Sequence, residues 1–154
     1  MLVRRDVTRP ARMLDFTTFE GAEWSRVPEA YLVPAGLSAV LDRLAAHGVV
    51  TRRLDQPVSL AVERFRIDST WTAPREFQGH RERTVLGAWE SVTDSVPAGT
   101  VIVPMRQPLA RLAFLLLEPR SDDGVLDWNL LDDALSGARY YPIRRTFVRD
   151  AFPD

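Results

Sequence analysis

Two histidines, one favourably placed serine, a run of aspartates and four tryptophans are the side chains of this sequence that could do chemistry. His80 is followed two residues later by Glu82. On a strand these side chains share a face, so a two-ligand metal fragment is geometrically allowed. The H-x-E of zinc deaminases also needs a cysteine pair, and the chain has no cysteine. The helical H-E-x-x-H pair is absent as well. A surface pair flanked by Arg81 and Arg83 is the more economical reading, and no metal ligand set is assigned. His47 falls in the last turn of a helix, where an imidazolium suits the helix dipole. Ser38, in "GLSAV", lies between a strand and a helix as a nucleophile elbow does, but Val40 stands where the second glycine of G-x-S-x-G belongs. It reads better as a helix N-terminal residue making a capping bond.

Phosphate cradles of the G-x-G-x-x-G and P-loop kinds are absent, and without lysine a P-loop cannot form. All 20 basic residues are arginine, which also removes Schiff-base lysines. Asp122, Asp123 and Asp127 do not follow the spacing of an EF-type calcium loop. "SDDG" is instead ordinary turn chemistry after a helix. Of Trp24, Trp71, Trp89 and Trp128, Trp71 sits in the most polar, turn-rich surroundings, "DSTWTAPREFQGH", and is the one expected to be most exposed. An exposed aromatic there would stack on a sugar or a peptide; covering one edge of the core is the simpler role. No catalytic residue is assigned. The candidate binding residues are Trp71, His80 and Trp128.

These residues need a frame. At 154 residues, 45% apolar and 27% charged, the chain is long enough for one globular domain with a real core. A net charge of −1 gives no field that favours nucleic acid or an anionic membrane. The apolar run at 109–117 is too short to span a bilayer and is broken by Arg111. Leu109, Leu112, Ala113 and Leu116 fall at i, i+3, i+4 and i+7, so the run reads as a short buried helix stopped by Pro119. The Asp-Gly turn after it is expected to bring Trp128 back to the core.

Elsewhere, 30–34 (AYLVP) reads as a strand. Residues 36–48 form the clearest helix, with a Leu37, Val40, Leu41, Leu44 stripe and Gly48 as the stop. "VVTRRLD" is a strand candidate. In "VSLAVERFRID" the alternation of Val58, Leu60 and Val62 shifts phase to Phe65 and Ile67, which predicts a bulge or a turn between two strands. "RERTVLGAWESV" and "TVIVP" are strands separated by a "VPAG" turn. "WNLLDDALSG" gives a helical turn and "YYPIRRTFV" a closing strand. Mixed elements without βαβ alternation predict an α+β fold, a mostly antiparallel sheet or sandwich with two or three short helices. The expected organisation is a linker-like segment at 1–27, one domain at 28–148 and a tail at 149–154. The N-terminus is charged and has no apolar signal-peptide core.

The order of motifs from residue 30 onward resembles a known family. It runs through Ala30 to Pro34, His47 to Val49, Phe77 to His80 and Pro97 to Thr100. It continues with Gln107 to Ala113, Leu116 to Gly124, Trp128 with Asn129, and Tyr141 to Ile143. This pattern, over about 27–145, resembles the region that follows the catalytic domain in bacterial zinc carboxypeptidase-like proteins of the carboxypeptidase A family. That family's H-x-x-E zinc pair has no counterpart here: Val50 follows His47 by three residues and Arg83 follows His80. The resemblance therefore implies a non-catalytic C-terminal domain, with zinc held only in a separate peptidase domain and no cofactor in this chain. Its partner would be that peptidase domain in cis, or another protein, in an exported or periplasmic parent. A surface left by the partner would show Met13, Leu14, Phe16 and Phe19 as an exposed apolar patch. A free-standing peptide- or sugar-binding module built on Trp71, His80 and Trp128 is the alternative, and a hydrolase using Ser38 or His80 comes last. Neither nucleic acid nor a membrane is an expected partner.

Overall fold

A computed structural model describes residues 23–149 together with 12, 14, 17, 18, 20, 21, 151 and 152. Its elements, in order, are β1 (Ala30–Val33), α1 (Ser38–Ala46), β2 (Arg52–Arg53), β3 (Val58–Thr72), β4 (Arg83–Val96), β5 (Val101–Pro104), α2 (Ala110–Leu117), α3 (Asp132–Leu135) and β6 (Arg144–Thr146). The strands form one six-stranded sheet in the order β2-β5-β1-β6-β3-β4. Every pairing is antiparallel. With three short helices this is the expected α+β architecture, built on a single sheet.

The connections force that sheet to curl. If it were flat, β2 and β3 would stand about 19 Å apart, four strand spacings of ~4.8 Å. The five chain steps from Arg53 to Val58 reach at most ~17 Å. The ladder shows how the distance is closed. β2 pairs with β5, the Leu54 N–H and C=O then bond to Thr100 and Gly99, and Val58 opposite Val96 continues as β3 against β4. The stretches 52–72 and 83–104 are thus the two sides of one long ribbon, bent at Leu54 and Gly99. Gly99 takes φ +85 at the bend, a conformation glycine adopts without a Cβ penalty.

Curling gives the sheet two apolar faces. On the inner face Ala30, Leu32, Leu60, Val62, Val96 and Ile102 form one buried cluster. Ala151 and Phe152, in the stretch read as a tail, pack against it. On the outer face Tyr31, Val33, Phe65, Val85, Val101 and Val103 meet Val40 and Leu44 of α1 and Ala113, Leu116 and Leu117 of α2. Along β1 the alternation sends Leu32 inward and Tyr31 outward, so all four residues of this strand are buried.

The phase change in β3 has this same origin. Val62 belongs to the inner cluster and Phe65 to the outer one. The strand runs unbroken between them, with Val62 opposite Val92 and Phe65 opposite Trp89. The predicted bulge or turn is absent there, because a strand buried first on one face and then on the other changes phase without changing geometry. A register shift does occur farther on, between Ile67 and Ser69. Opposite it, a Cβ on Gly87 would collide with the Arg66 carbonyl, so the strands meet at a glycine.

Two helix expectations are refined. α1 starts at Ser38 after Leu37, and no side chain makes a capping bond, so Ser38 is not a cap. Gly48 does supply the stop, with φ +74. α2 ends where Glu118 turns extended ahead of Pro119, whose ring disfavours a helical residue before it. No helix among the described residues is long and apolar enough to cross a membrane.

The tryptophans depart most from expectation. Trp24 is 90% exposed, Trp71 56% and Trp128 39%. Trp71 is therefore not the most exposed of the four, and it joins neither buried cluster. Trp128 is not returned to the core; its ring stays at the surface. Leu14, from the predicted linker-side patch, is exposed with Trp24 and Val27, while Met13, Phe16 and Phe19 lie outside the described residues.

Candidate functional site: a surface corner and a charged cleft

His80 and Trp128 are brought together. Phe77 and His80 exchange backbone hydrogen bonds of 2.9 and 3.1 Å across Gln78 and Gly79, which take φ 51 and 84. Two consecutive positive-φ residues are the mark of a tight type I′ hairpin turn. The turn presents the imidazole to the Trp128 ring, at 4.1 Å between centroids and a 46° tilt. The indole N–H donates to Asp123. Beside Trp128, Asn129 stands at φ 61 and donates to the Arg81 carbonyl at 3.0 Å. Glu82, Asp123 and Asp127 gather around this corner. Burial, and then the Glu82 charge, push the Asp127 carboxyl above its ordinary range. His80 Nε2 is enclosed without a hydrogen-bond partner. Among the described residues no three His, Asp or Glu side chains gather as a metal centre requires. Trp71, opposite Thr84 near the hairpin end of β3, makes no ring contact with either residue. The structure thus joins two of the three candidate binding residues and leaves the third separate.

A second constellation was not anticipated. Glu118, at the end of α2, and Arg145, in β6, have side chains only 7% and 6% exposed. Arg145 Nη1 donates to Glu118 Oε1 at 2.9 Å, and its Nε donates to Glu63 Oε2 at 2.9 Å. Tyr31 in β1 donates to Glu118 Oε1 at 2.5 Å, and Ser25 donates to Oε2 at 3.0 Å. The guanidinium lies 3.8 Å from the Trp89 ring centroid. Each buried charge thus has several partners, as removal from water demands. Burial, followed by the adjacent Glu118 charge, pushes the Tyr31 and Tyr141 hydroxyls far up. Both phenols are held in their protonated, donating form, so their hydrogen bonds tie β1 and the stretch before β6 to the end of α2.

Above the network lies a cleft of about 780 Å³, walled by Glu20, Gly21, Glu23, Trp24 and Ser25, by β4 and by the end of α2. Trp24, Phe65, Trp89 and Phe114 give it aromatic surface. Arg120 closes one end, paired with Glu23 and donating from Nη1 to the Val85 carbonyl at 2.9 Å. The Glu23 hydrogen bond holds the Arg120 guanidinium in its charged form, and the same bond lowers the Glu23 carboxyl. One sequence signal pointed to this region: Glu118 is a charge set directly against the apolar run of α2, a position that burial makes costly unless a cation meets it. Arg145 carried no comparable signal, since its partners are distant in sequence.

Comparison with known proteins finds sequence similarity to fungal carboxypeptidases. The chain is 30% identical to carboxypeptidase 2 of Trichophyton tonsurans over 149 residues, covering 94% of this chain and 27% of that protein. Carboxypeptidase 2 of Trichophyton equinum matches to the same extent. A probable carboxypeptidase 2 of Arthroderma benhamiae is 32% identical over 114 residues, 71% of this chain and 22% of that protein. These relatives are fungal, so they carry the likeness to carboxypeptidases but not the bacterial group that the motifs resembled. No family model matches the chain, and no solved structure does. The chain spans only about 27% of the length of the Trichophyton carboxypeptidases it resembles.

Proposed function

We propose that this chain is a non-catalytic accessory domain of a carboxypeptidase-like metallopeptidase, packing on the peptidase domain or helping to present substrate. The observation that carries the reading is the asymmetry of the match, 94% of this chain against 27% of the relative. A segment with two buried clusters and a closed ribbon corresponds to a minor part of a much larger enzyme. The H-x-x-E pair of the resembled family is absent from the sequence, so the zinc chemistry would belong to the remainder of such a protein. The exposed Leu14, Trp24 and Val27 fit a face that a larger partner covers.

The test has two arms. The purified chain, supplied with zinc, should release no C-terminal amino acid from unblocked peptides; release that a chelator abolishes would sink the reading. Excising the matching segment from Trichophyton tonsurans carboxypeptidase 2 should lower its thermal stability or raise its KM while kcat stays measurable. Unchanged stability and kinetics would count equally against it.

The His80–Trp128 corner supports a second reading, a peptide- or carbohydrate-binding module. An indole at the surface with its N–H already oriented by Asp123 is a ready stacking platform. Trp71, on a separate part of the hairpin, would have to contribute through a different part of the ligand. Quenching of tryptophan fluorescence by oligosaccharides, lost in Trp128→Ala, would favour this reading.

A further inference from the structure

β4 is an end strand of the sheet, and among the described residues no strand pairs with its outer side. The side chains at its two ends reveal which backbone groups face outward. Arg120 takes the Val85 carbonyl, and the Asp94 carboxylate takes the Ser95 N–H at 2.8 Å. Residues of one parity turn both backbone groups the same way in an antiparallel strand. Gly87, Trp89, Ser91 and Thr93 therefore present their N–H and C=O groups outward, between two ends that side chains already cap. A long edge of this kind is normally blunted by lysine, proline or a covering element. Within 83–96 the only charged residues after Arg83 are Glu90 and Asp94, and there is no proline.

This edge forms one wall of the charged cleft, whose lining includes Gly87, Ala88 and Trp89. Among the described residues five carboxylates and one arginine line it: Glu20, Glu23, Glu118, Asp122 and Asp123 against Arg120. Arg120 is matched to Glu23, and Glu118 to Arg145. Glu20, Asp122 and Asp123 remain as excess negative charge beside the exposed Trp24 ring.

We propose that this cleft binds an extended peptide segment that adds as a strand to the outer edge of β4 and places a basic side chain against Asp122, Asp123 and Glu20. The unpaired edge calls for an occupant with a repeating N–H and C=O pattern, which an extended peptide has. The charge excess selects a cation, and the exposed Trp24 ring favours a guanidinium, which stacks on rings. This goes beyond the accessory-domain reading, because the cleft and the edge belong to the chain whether or not a peptidase is attached.

The test titrates acetyl-Thr-Val-Arg-Val-Thr-amide into the isotopically labelled chain and follows amide shifts by NMR. Saturable shifts should appear along 87–93 and 120–123. The matching peptide with Glu in place of Arg should bind about tenfold more weakly or worse, since a like charge meets the acidic rim. Raising the salt concentration should weaken the arginine peptide specifically. The same peptide N-methylated at alternate amides, on the side that would face β4, should fail to bind the unaltered chain. Ser91→Pro should also fail to bind the peptide, since it deletes an outward N–H while removing no β3–β4 ladder bond. No saturable shift at millimolar peptide, equal binding of the Arg and Glu peptides, or full binding of the N-methylated peptide would each overturn the proposal. So would pairing of the β4 edge with a second copy of the chain that the peptide cannot displace.

Discussion

The two polar constellations, the Glu118–Arg145 network and the His80–Trp128 corner, are built from the same kinds of residue and differ in how completely they are paired. In the network Glu118 accepts from Arg145, Tyr31 and Ser25, and Arg145 donates to both Glu118 and Glu63. At the corner Trp128 is 39% exposed, and the enclosed His80 Nε2 has no hydrogen-bond partner. A buried charge must be satisfied by the fold itself, because no water replaces a missing partner. The exposed Trp128 indole keeps a face free for another molecule, while the enclosed His80 Nε2 is held away from solvent. Fixing elements in place falls to the first region, and contact with other molecules suits the second and the adjoining cleft.

Breaking the network should have the largest effect. Arg145→Ala strands Glu118 away from solvent and removes the partner of the partly exposed Glu63, and should destabilise the fold by about 3–5 kcal/mol in urea unfolding. A loss below about 1 kcal/mol would show that the pair is hydrated and would erase the contrast between the regions.

Tyr31→Phe should cost about 1–3 kcal/mol at neutral pH, because Glu118 loses a buried donor. It also sharpens the comparison through pH. The folded state holds the Tyr31 and Tyr141 phenols protonated well above their ordinary value of 10.0. Their contribution is fully present below pH 10 and falls as pH rises beyond it, because only the unfolded chain then releases its protons. Unfolding midpoints measured above pH 10 should therefore decline less steeply in Tyr31→Phe than in the natural sequence.

The corner should respond more weakly. Its buried Asp127 carboxyl is raised, so ionisation opposes folding as pH climbs through the shifted value. Asp127→Asn should be near neutral below pH 3 and slightly stabilising at pH 7, by roughly 0.5 kcal/mol or less. Urea midpoints at the two pH values check this, and destabilisation at pH 7 would contradict it. Similarly small, Trp128→Ala should shift stability by under about 0.5 kcal/mol while moving the His80 ring-proton resonances, which now lie beside the indole face. A larger loss would mean that the corner is core after all.

Strands, helices and turns were legible where a local pattern carried them. α1 followed from its Leu37, Val40, Leu41 and Leu44 stripe with Gly48 beyond it, and α2 from its spacing and Pro119. The "VPAG" turn and the strands on either side followed from composition. Phe65 misled, because its change of phase looked like a break in the strand. The true cause lies in two cores on opposite faces of a curled sheet, which no short window contains. The candidate site was legible in part. His80 and Trp128 were both named as candidate binding residues, but 48 positions of chain separate them and only the Gln78–Gly79 turn sets them face to face.

The sequence by itself determined the element types, the α+β mixture, the lack of cysteine and lysine chemistry and the absence of the H-x-x-E pair, because those depend on residue identity and near-neighbour spacing. Tertiary structure alone decided that Glu118 meets Arg145, that β4 is an open edge beside an acidic cleft, and that Trp128 stays at the surface. Those outcomes depend on a ribbon bending at Leu54 and Gly99 to close one sheet upon itself. Its closure brings together side chains whose pairing energies come from burial, which a linear order of residues does not specify.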